Sequence, residues 1–294
     1  MAKHVQLTPR DFGLFDWLNR HGAATCPEIA REFFGSESRA YRRLLALREG
    51  NYIRADRDLT ALPAVYRVTA AGAGLVSAEL SAPKKNLPKL VHTVELVELY
   101  QWLLEEETEI IEEYYTEREL LQREREATEQ RRAADGAKKL SRTPDGLIVD
   151  FMGQNIAIEL ELVPKRAANY KRIFQAYEEM LAAGKYDSIR YYVRGPQAAR
   201  RLERIAFSKH SFEEGQIQFF AYAPVYDMST SGQGAPGKRG KDKSDRPVGG
   251  HTPPLEVESV EEAEERMNCL LQCADCGVWW RGHDVCEYCG ENLW

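Results

Sequence analysis

Pro144-Asp145-Gly146, followed a short hairpin later by Ile158-Glu159-Leu160-Glu161-Leu162 and then Lys165, decides how this chain is read. Leu147-Ile148-Val149 and Ile156-Ala157-Ile158-Glu159-Leu160 flank a turn at Gly153 and predict two neighbouring antiparallel strands. An acid opening one strand and a second acid on its neighbour can converge on one divalent cation. Hard ions such as Mg²⁺ or Mn²⁺ take carboxylate oxygens, and phosphodiester cleavage uses such an ion to polarise phosphate and activate water. Side chains two apart on a strand share a face, so Glu159 and Glu161 point the same way. The alternative is an amphipathic strand whose polar face meets solvent, with Leu160 and Leu162 buried and Ile156 and Ile158 beside the carboxylates. Asp145, Glu159, Glu161, Lys165 and Lys171 are the candidate catalytic residues, with Asp145 and Glu159 as metal ligands.

Strand and helix alternate around this pair over residues 89–227. A helix at 89–107 precedes a strand at 110–115 and a charged helix at 116–130. After the hairpin come a helix at 167–183, a strand at 188–193, a short helix at 197–206 and a strand at 216–222. That order predicts a mixed sheet with helices packed on it.

Residues 1–80 read as a winged helix-turn-helix. Thr8 caps a first helix, with Asp11 three residues on. Cys26-Pro27 opens a second helix closed by Gly35, and a third runs from Glu37 to Glu49, with Leu44, Leu45 and Leu47 on its buried side. Tyr52-Ile53-Arg54-Ala55 and Val65-Tyr66-Arg67-Val68 form a hairpin. Arg39, Arg42, Arg43 and Arg48 lie on the third helix, the one that enters a groove in such domains, and Arg54 lies on the hairpin. Residues 1–80 hold eleven Lys/Arg against nine Asp/Glu, a balance of +2 within a chain of net charge −6. A solvated helix face is the plain alternative to double-stranded DNA binding.

Residues 228–254 are rich in Ser, Gly, Lys, Asp and Pro and read as a disordered linker. Beyond it, Cys273-Ala-Asp-Cys276-Gly277 and Cys286-Glu-Tyr-Cys289-Gly290 make a double C-x-x-C-G pattern. Four thiolates suit a structural, tetrahedral Zn²⁺, and predict a zinc ribbon over 266–294 folded by its metal. A redox pair or an iron site is the competing use of these cysteines.

The segment from the N-terminus to Val193 resembles the replication-relaxation family of plasmids and integrative elements, and relaxases with a restriction-endonuclease-like fold. The likeness rests on His92-Thr93-Val94, Thr116-Glu117-Arg118-Glu119-Leu120, Pro144-Asp145-Gly146, and Ile158-Glu159-Leu160-Glu161-Leu162-x-x-Lys165 followed by Tyr170 and Ile173. The core looks like the PD-(D/E)xK pattern. The resemblance implies a restriction-endonuclease-like α/β/α domain in which Asp145 and Glu159 hold the metal. The chain departs from the pattern at Glu161, where that core has lysine, so a positive charge must come from Lys165 or Lys171.

The expected architecture is multidomain α+β: winged helix, mixed-sheet nuclease-like domain, linker and zinc ribbon. No stretch of about 18 apolar residues occurs, which predicts a cytoplasmic protein without membrane partners. The functional expectation is Mg- or Mn-dependent nicking of mobile-element DNA, with other replication or transfer proteins as partners and a homodimer allowed. The competing expectation is a non-catalytic DNA-binding regulator with a degenerate nuclease core. A defence nuclease shares the chemistry of the first. Tyr114, Tyr115, Tyr170 and Tyr177 raise a covalent tyrosine mechanism, which lacks the accompanying histidine cluster.

Overall fold

The computed structural model describes residues 5–57, 62–76, 80–134 and 142–226, together with two short strands at 270–272 and 279–281. The fold is mixed α+β, built around a mixed five-stranded sheet.

In the first part of the chain, α1 (Pro9–His21) starts where the sequence predicts. The Asp11 carboxylate accepts from the Thr8 backbone N–H at 2.6 Å and from its hydroxyl at 2.8 Å. Pro9 opens the helix at no cost, because its absent N–H has no partner there anyway. After β1 (Ala24–Thr25), α2 (Cys26–Ile29) runs on as a π-helical stretch, Ala30–Phe34, which ends at Gly35 with φ of 63°. Next come α3 (Glu37–Glu49), β2 (Ile53–Asp56), β3 (Val65–Val68) and the short α4 (Ala70–Ala73). The three strands pair antiparallel in the order β1-β3-β2. Leu14, Phe15, Leu18, Ile29, Leu44, Leu47 and Ile53 form their common core. Gly72 must be glycine, since a Cβ there would lie 2.4 Å from the Tyr52 carbonyl oxygen.

Leu45 departs from expectation. It is 36 % exposed, because α3 buries Ala40, Leu44 and Leu47 and turns Leu45 outward.

The second part begins with α5 (Leu87–Glu106), which belongs to two cores. Its first turns, Leu90, Val91 and Val94, pack with Ala23, Leu62 and Val65. Its last turns, Leu99 and Leu103, pack on the sheet. There follow β4 (Ile111–Thr116), α6 (Glu117–Ala134), β5 (Gly146–Asp150), β6 (Asn155–Glu161), α7 (Ala167–Ala182), β7 (Ser188–Arg194), α8 (Pro196–Lys209) and β8 (Ile217–Tyr222). The sheet runs β4-β5-β6-β7-β8, antiparallel through β6 and parallel from there.

The position of β6 in the middle decides its chemistry. Ile156, Ile158 and Leu160 pack with Leu99 and Leu103 of α5. Ala157 packs on the other face with Tyr170, Phe174 and Tyr177 of α7. Residues two apart share a face, so Ile156 and Ile158 lie opposite the carboxylates rather than beside them. Neither face meets solvent: Glu159 is 3 % and Glu161 5 % exposed. The amphipathic-strand alternative is therefore overturned by helices on both sides of the sheet.

Far down the chain, β9 (Leu270–Gln272) and β10 (Trp279–Arg281) pair antiparallel. The linker at 228–254 and the thiolate ligands Cys273, Cys276, Cys286 and Cys289 lie outside the described residues. No helix among the described residues is long and apolar enough to cross a membrane.

Candidate functional site

Two charged constellations stand out, and they are built differently. The first lies at the junction of β5 and β6. Gly146 pairs with Ile158, which sets Asp145 and Glu159 side by side on neighbouring strands, as their spacing predicts.

Each carboxylate already has a partner. Arg142 grips Glu159 with two parallel hydrogen bonds, Nε to Oε1 at 3.0 Å and Nη2 to Oε2 at 2.7 Å. The Tyr177 hydroxyl donates to the same carboxylate. Burial and the charge of Asp145 push Glu159 up to about 7, against the pull of Arg142. Arg142 itself is held firmly protonated: burial opposes its charge, but the charge and hydrogen bonds of Glu159, with the neighbouring Tyr191 and Tyr177, together outweigh burial. Glu161 pairs with the Lys165 ammonium, one turn of chain away. Lys171 is exposed on α7 and joins none of these groups.

Asp145 performs a local backbone task. Extending the Gly146–Ile158 register by two residues puts Leu160 opposite Pro144, which has no N–H to give. The ladder is completed by side chains instead. Asp145 Oδ2 accepts the Leu160 N–H at 2.9 Å, and His92 Nε2 meets the Leu160 carbonyl at 3.0 Å. His92 Nε2 also lies 3.4 Å from Asp145 Oδ2. Burial would raise Asp145 and lower His92, but the hydrogen bond and charge between them, joined by the Leu160 backbone and neighbouring charges, together outweigh it, so Asp145 falls and His92 rises. His92 is thus hydrogen-bonded to the β6 backbone and faces Asp145.

A divalent cation does not fit this arrangement. The oxygens are the hard donors Mg²⁺ or Mn²⁺ prefer, yet both oxygens of Glu159 are taken by Arg142 and Tyr177, Glu161 Oε2 by Lys165, and Asp145 Oδ2 by Leu160 and His92. Among the described residues no three His, Cys, Asp or Glu side chains converge on a metal position. Beside Glu159 the Tyr191 hydroxyl, on a residue 1 % exposed, makes no hydrogen bond among the described residues.

The second constellation is the outward face of α3. Tyr41, Arg42, Leu45 and Arg48 recur at helical spacing and are all exposed, with Arg39 beside them. Arg39 and Arg48 form no ion pair among the described residues, and Arg42 reaches only the Ser38 carbonyl, at 3.3 Å. Arg43 behaves otherwise. It is clamped on Asp11, with Nε to Oδ1 at 2.8 Å and a second bond from Nη2, and it also donates to the Gln6 carbonyl at 2.8 Å. Arg43 therefore ties α3 to the start of α1. Between these helices lies a shallow depression walled by Arg10, Arg39, Arg42 and Arg43, with Asp11 as its acid. Arg54 is exposed on β2, and Arg57 just after it, where the chain enters the loop of the hairpin.

Sequence reasoning missed Arg142 as the partner of Glu159. The available signal was an arginine three residues ahead of an acid whose cross-strand neighbour is also acidic. Comparison with protein-family models, with curated proteins and with solved structures returns no match to this chain.

Proposed function

We propose that this protein binds duplex DNA through a winged helix-turn-helix formed by α1–α3 and the β2–β3 hairpin, and that its five-stranded domain is a degenerate nuclease core acting as a scaffold. The observation that carries the proposal is the outward face of α3. Arg39, Arg42 and Arg48 stand there without acidic partners among the described residues, with Tyr41 and Leu45 between them. Arginine forks on an exposed helix suit phosphate and base edges, and a Leu in their midst can meet a thymine methyl. The replication-relaxation resemblance gives the proposal its setting, the DNA of a mobile element, with replication or transfer proteins as partners. Selection from a random duplex pool with the full chain tests it. Enrichment of one sequence by the wild type, lost with Arg39, Arg42 and Arg48 replaced by alanine, is the expected result. Equal enrichment by that variant contradicts it.

A second reading, metal-dependent nicking, has its own support. Asp145 and Glu159 sit side by side, and the order α5-β4-α6-β5-β6-α7-β7 has, apart from α6 between β4 and β5, the succession of a restriction-endonuclease-like core. The Tyr191 hydroxyl beside Glu159, without a hydrogen-bond partner among the described residues, leaves one polar group there for a further ligand to meet. This reading requires Arg142 to release Glu159.

The zinc ribbon belongs to the same proposal. The first C-x-x-C-G knuckle falls in the connection between the paired strands β9 and β10, as a ribbon needs. One Zn²⁺ per chain by elemental analysis is expected, and Cys273→Ser should abolish it. Full retention of zinc by that variant contradicts the ligand assignment.

A further inference from the structure

A cavity of about 140 Å³ opens where α1, the 80–86 connection, α5 and α6 meet, and none of the chemistry above accounts for it. Its lining holds five cations, Arg20, Arg67, Lys84, Lys89 and Arg118, against two acids, Glu117 and Asp145, in a chain that is acidic overall. Three of the cations are answered locally: Arg20 by Glu119 at 2.7 Å, Arg67 by Asp56 at 2.7 Å and Lys89 by Glu117 at 3.2 Å. Asp145 is answered by His92.

Two cations are not answered. Lys84 forms no ion pair among the described residues. Among the described residues Arg118 donates only to neutral oxygens, from Nε to Asn19 O at 2.8 Å and from Nη2 to Ser81 O at 2.6 Å and to Asn19 Oδ1 at 3.4 Å. Burial and the nearby Arg125 push its guanidinium below the usual arginine value, as expected for a cation short of a counter-ion. The chain makes room for this side chain. Gly22 has φ of 90°, and a Cβ there would stand 3.2 Å from Arg118 Cδ.

We infer that this cavity binds a phosphate oxyanion, held chiefly by Arg118 and Lys84. Arginine and lysine supply the two modes of phosphate recognition, a planar fork and a compact point charge. The volume is that of about four or five waters at about 30 Å³ each, enough for one tetrahedral oxyanion and below the range of whole-cofactor pockets. The phosphate has two possible sources, a free inorganic ion or one phosphodiester of a bound strand. The site does not depend on the DNA-binding reading, because the probe is inorganic phosphate itself.

The test is thermal unfolding of the full chain titrated with inorganic phosphate, with ionic strength held constant by sodium chloride. A saturable rise in Tm is expected, since a ligand that binds only the folded chain stabilises it. Lys84→Gln, a change of an exposed side chain, should weaken the apparent affinity at least tenfold. Arg118→Gln should do the same if the variant folds. A rise reproduced by chloride alone, or unchanged in Lys84→Gln, overturns the proposal. Adding a duplex oligonucleotide then assigns the source. Competition points to a backbone phosphodiester and simultaneous binding to the free ion, and both outcomes uphold the site.

Discussion

The outward face of α3 and the β5–β6 junction carry similar numbers of charges and treat them in opposite ways. On α3, Arg39, Arg42 and Arg48 face solvent without an acidic partner among the described residues. At β5–β6, the carboxylates of Asp145, Glu159 and Glu161 are each matched by a cation or by a backbone donor. The difference follows from burial. An exposed arginine keeps its hydration and waits for a ligand at little cost, whereas a carboxylate between two helical layers must be neutralised from within. A charge satisfied inside the molecule supports the fold, and one left unsatisfied at the surface is available for recognition.

The sharpest way to break this contrast is to remove an internal partner. Arg142→Ala strands Glu159 in the core and should cost about 3–5 kcal/mol in denaturant unfolding. Replacing both members with apolar residues, Arg142→Met with Glu159→Leu, should recover most of that loss. If Arg142→Ala is neutral, Glu159 is not held as described.

Glu28 sharpens the same point, because it is fully buried and no cation among the described residues is bonded to it. Its carboxyl accepts from the Thr25 N–H and, at 2.8 Å, from the Tyr226 hydroxyl. Burial pushes it up to about 7, from 4.5. Below the lower value both folded and unfolded chains hold the proton. Between the two values only the folded chain does, so this contribution to stability is lost as pH rises through about 7. His21, held at about 3 by burial, acts in the opposite direction, so the informative quantity is the difference between wild type and Glu28→Gln. From pH 5 to pH 8 the wild type should lose stability relative to Glu28→Gln, on the order of 3 kcal/mol. A flat difference contradicts the assignment.

On the α3 side, replacing Arg39, Arg42 and Arg48 together by alanine should weaken duplex binding about a hundredfold and reduce the salt slope by about three. Thermal stability should stay within about 0.5 kcal/mol of wild type, the range for surface changes. Arg43→Ala should show the reverse, lost stability with less effect on the salt slope. The smallest effect belongs to the α1 cap. Thr8→Ala should cost about 1 kcal/mol in unfolding, with DNA binding intact.

The parts of the molecule set by local rules were legible in the sequence. Thr8 with Asp11, Gly35, the bounds of α3 and the alternating strands of the sheet are written in caps, glycines and residue periods. The pairing of Asp145 with Glu159 followed from their spacing across the turn at Gly153. Contacts between distant segments left no such mark. Glu28 meets Tyr226 across 198 residues of chain. Arg43 offers the same side chain as Arg42, and only the packing of α1 decides that it binds Asp11. Leu45 reads as core by composition and is turned out by one step of helical phase. At Pro144 the sequence did hold a clue, since a proline beside a central strand leaves a carbonyl in need of a donor, which His92 supplies.

A single incubation of the full chain with supercoiled plasmid in Mg²⁺ or Mn²⁺, analysed before and after removal of the protein, tests the central claim most directly. The account predicts retarded plasmid that returns to its intact, supercoiled form once the protein is stripped. Plasmid nicked by the wild type and left whole by Glu159→Gln would contradict it.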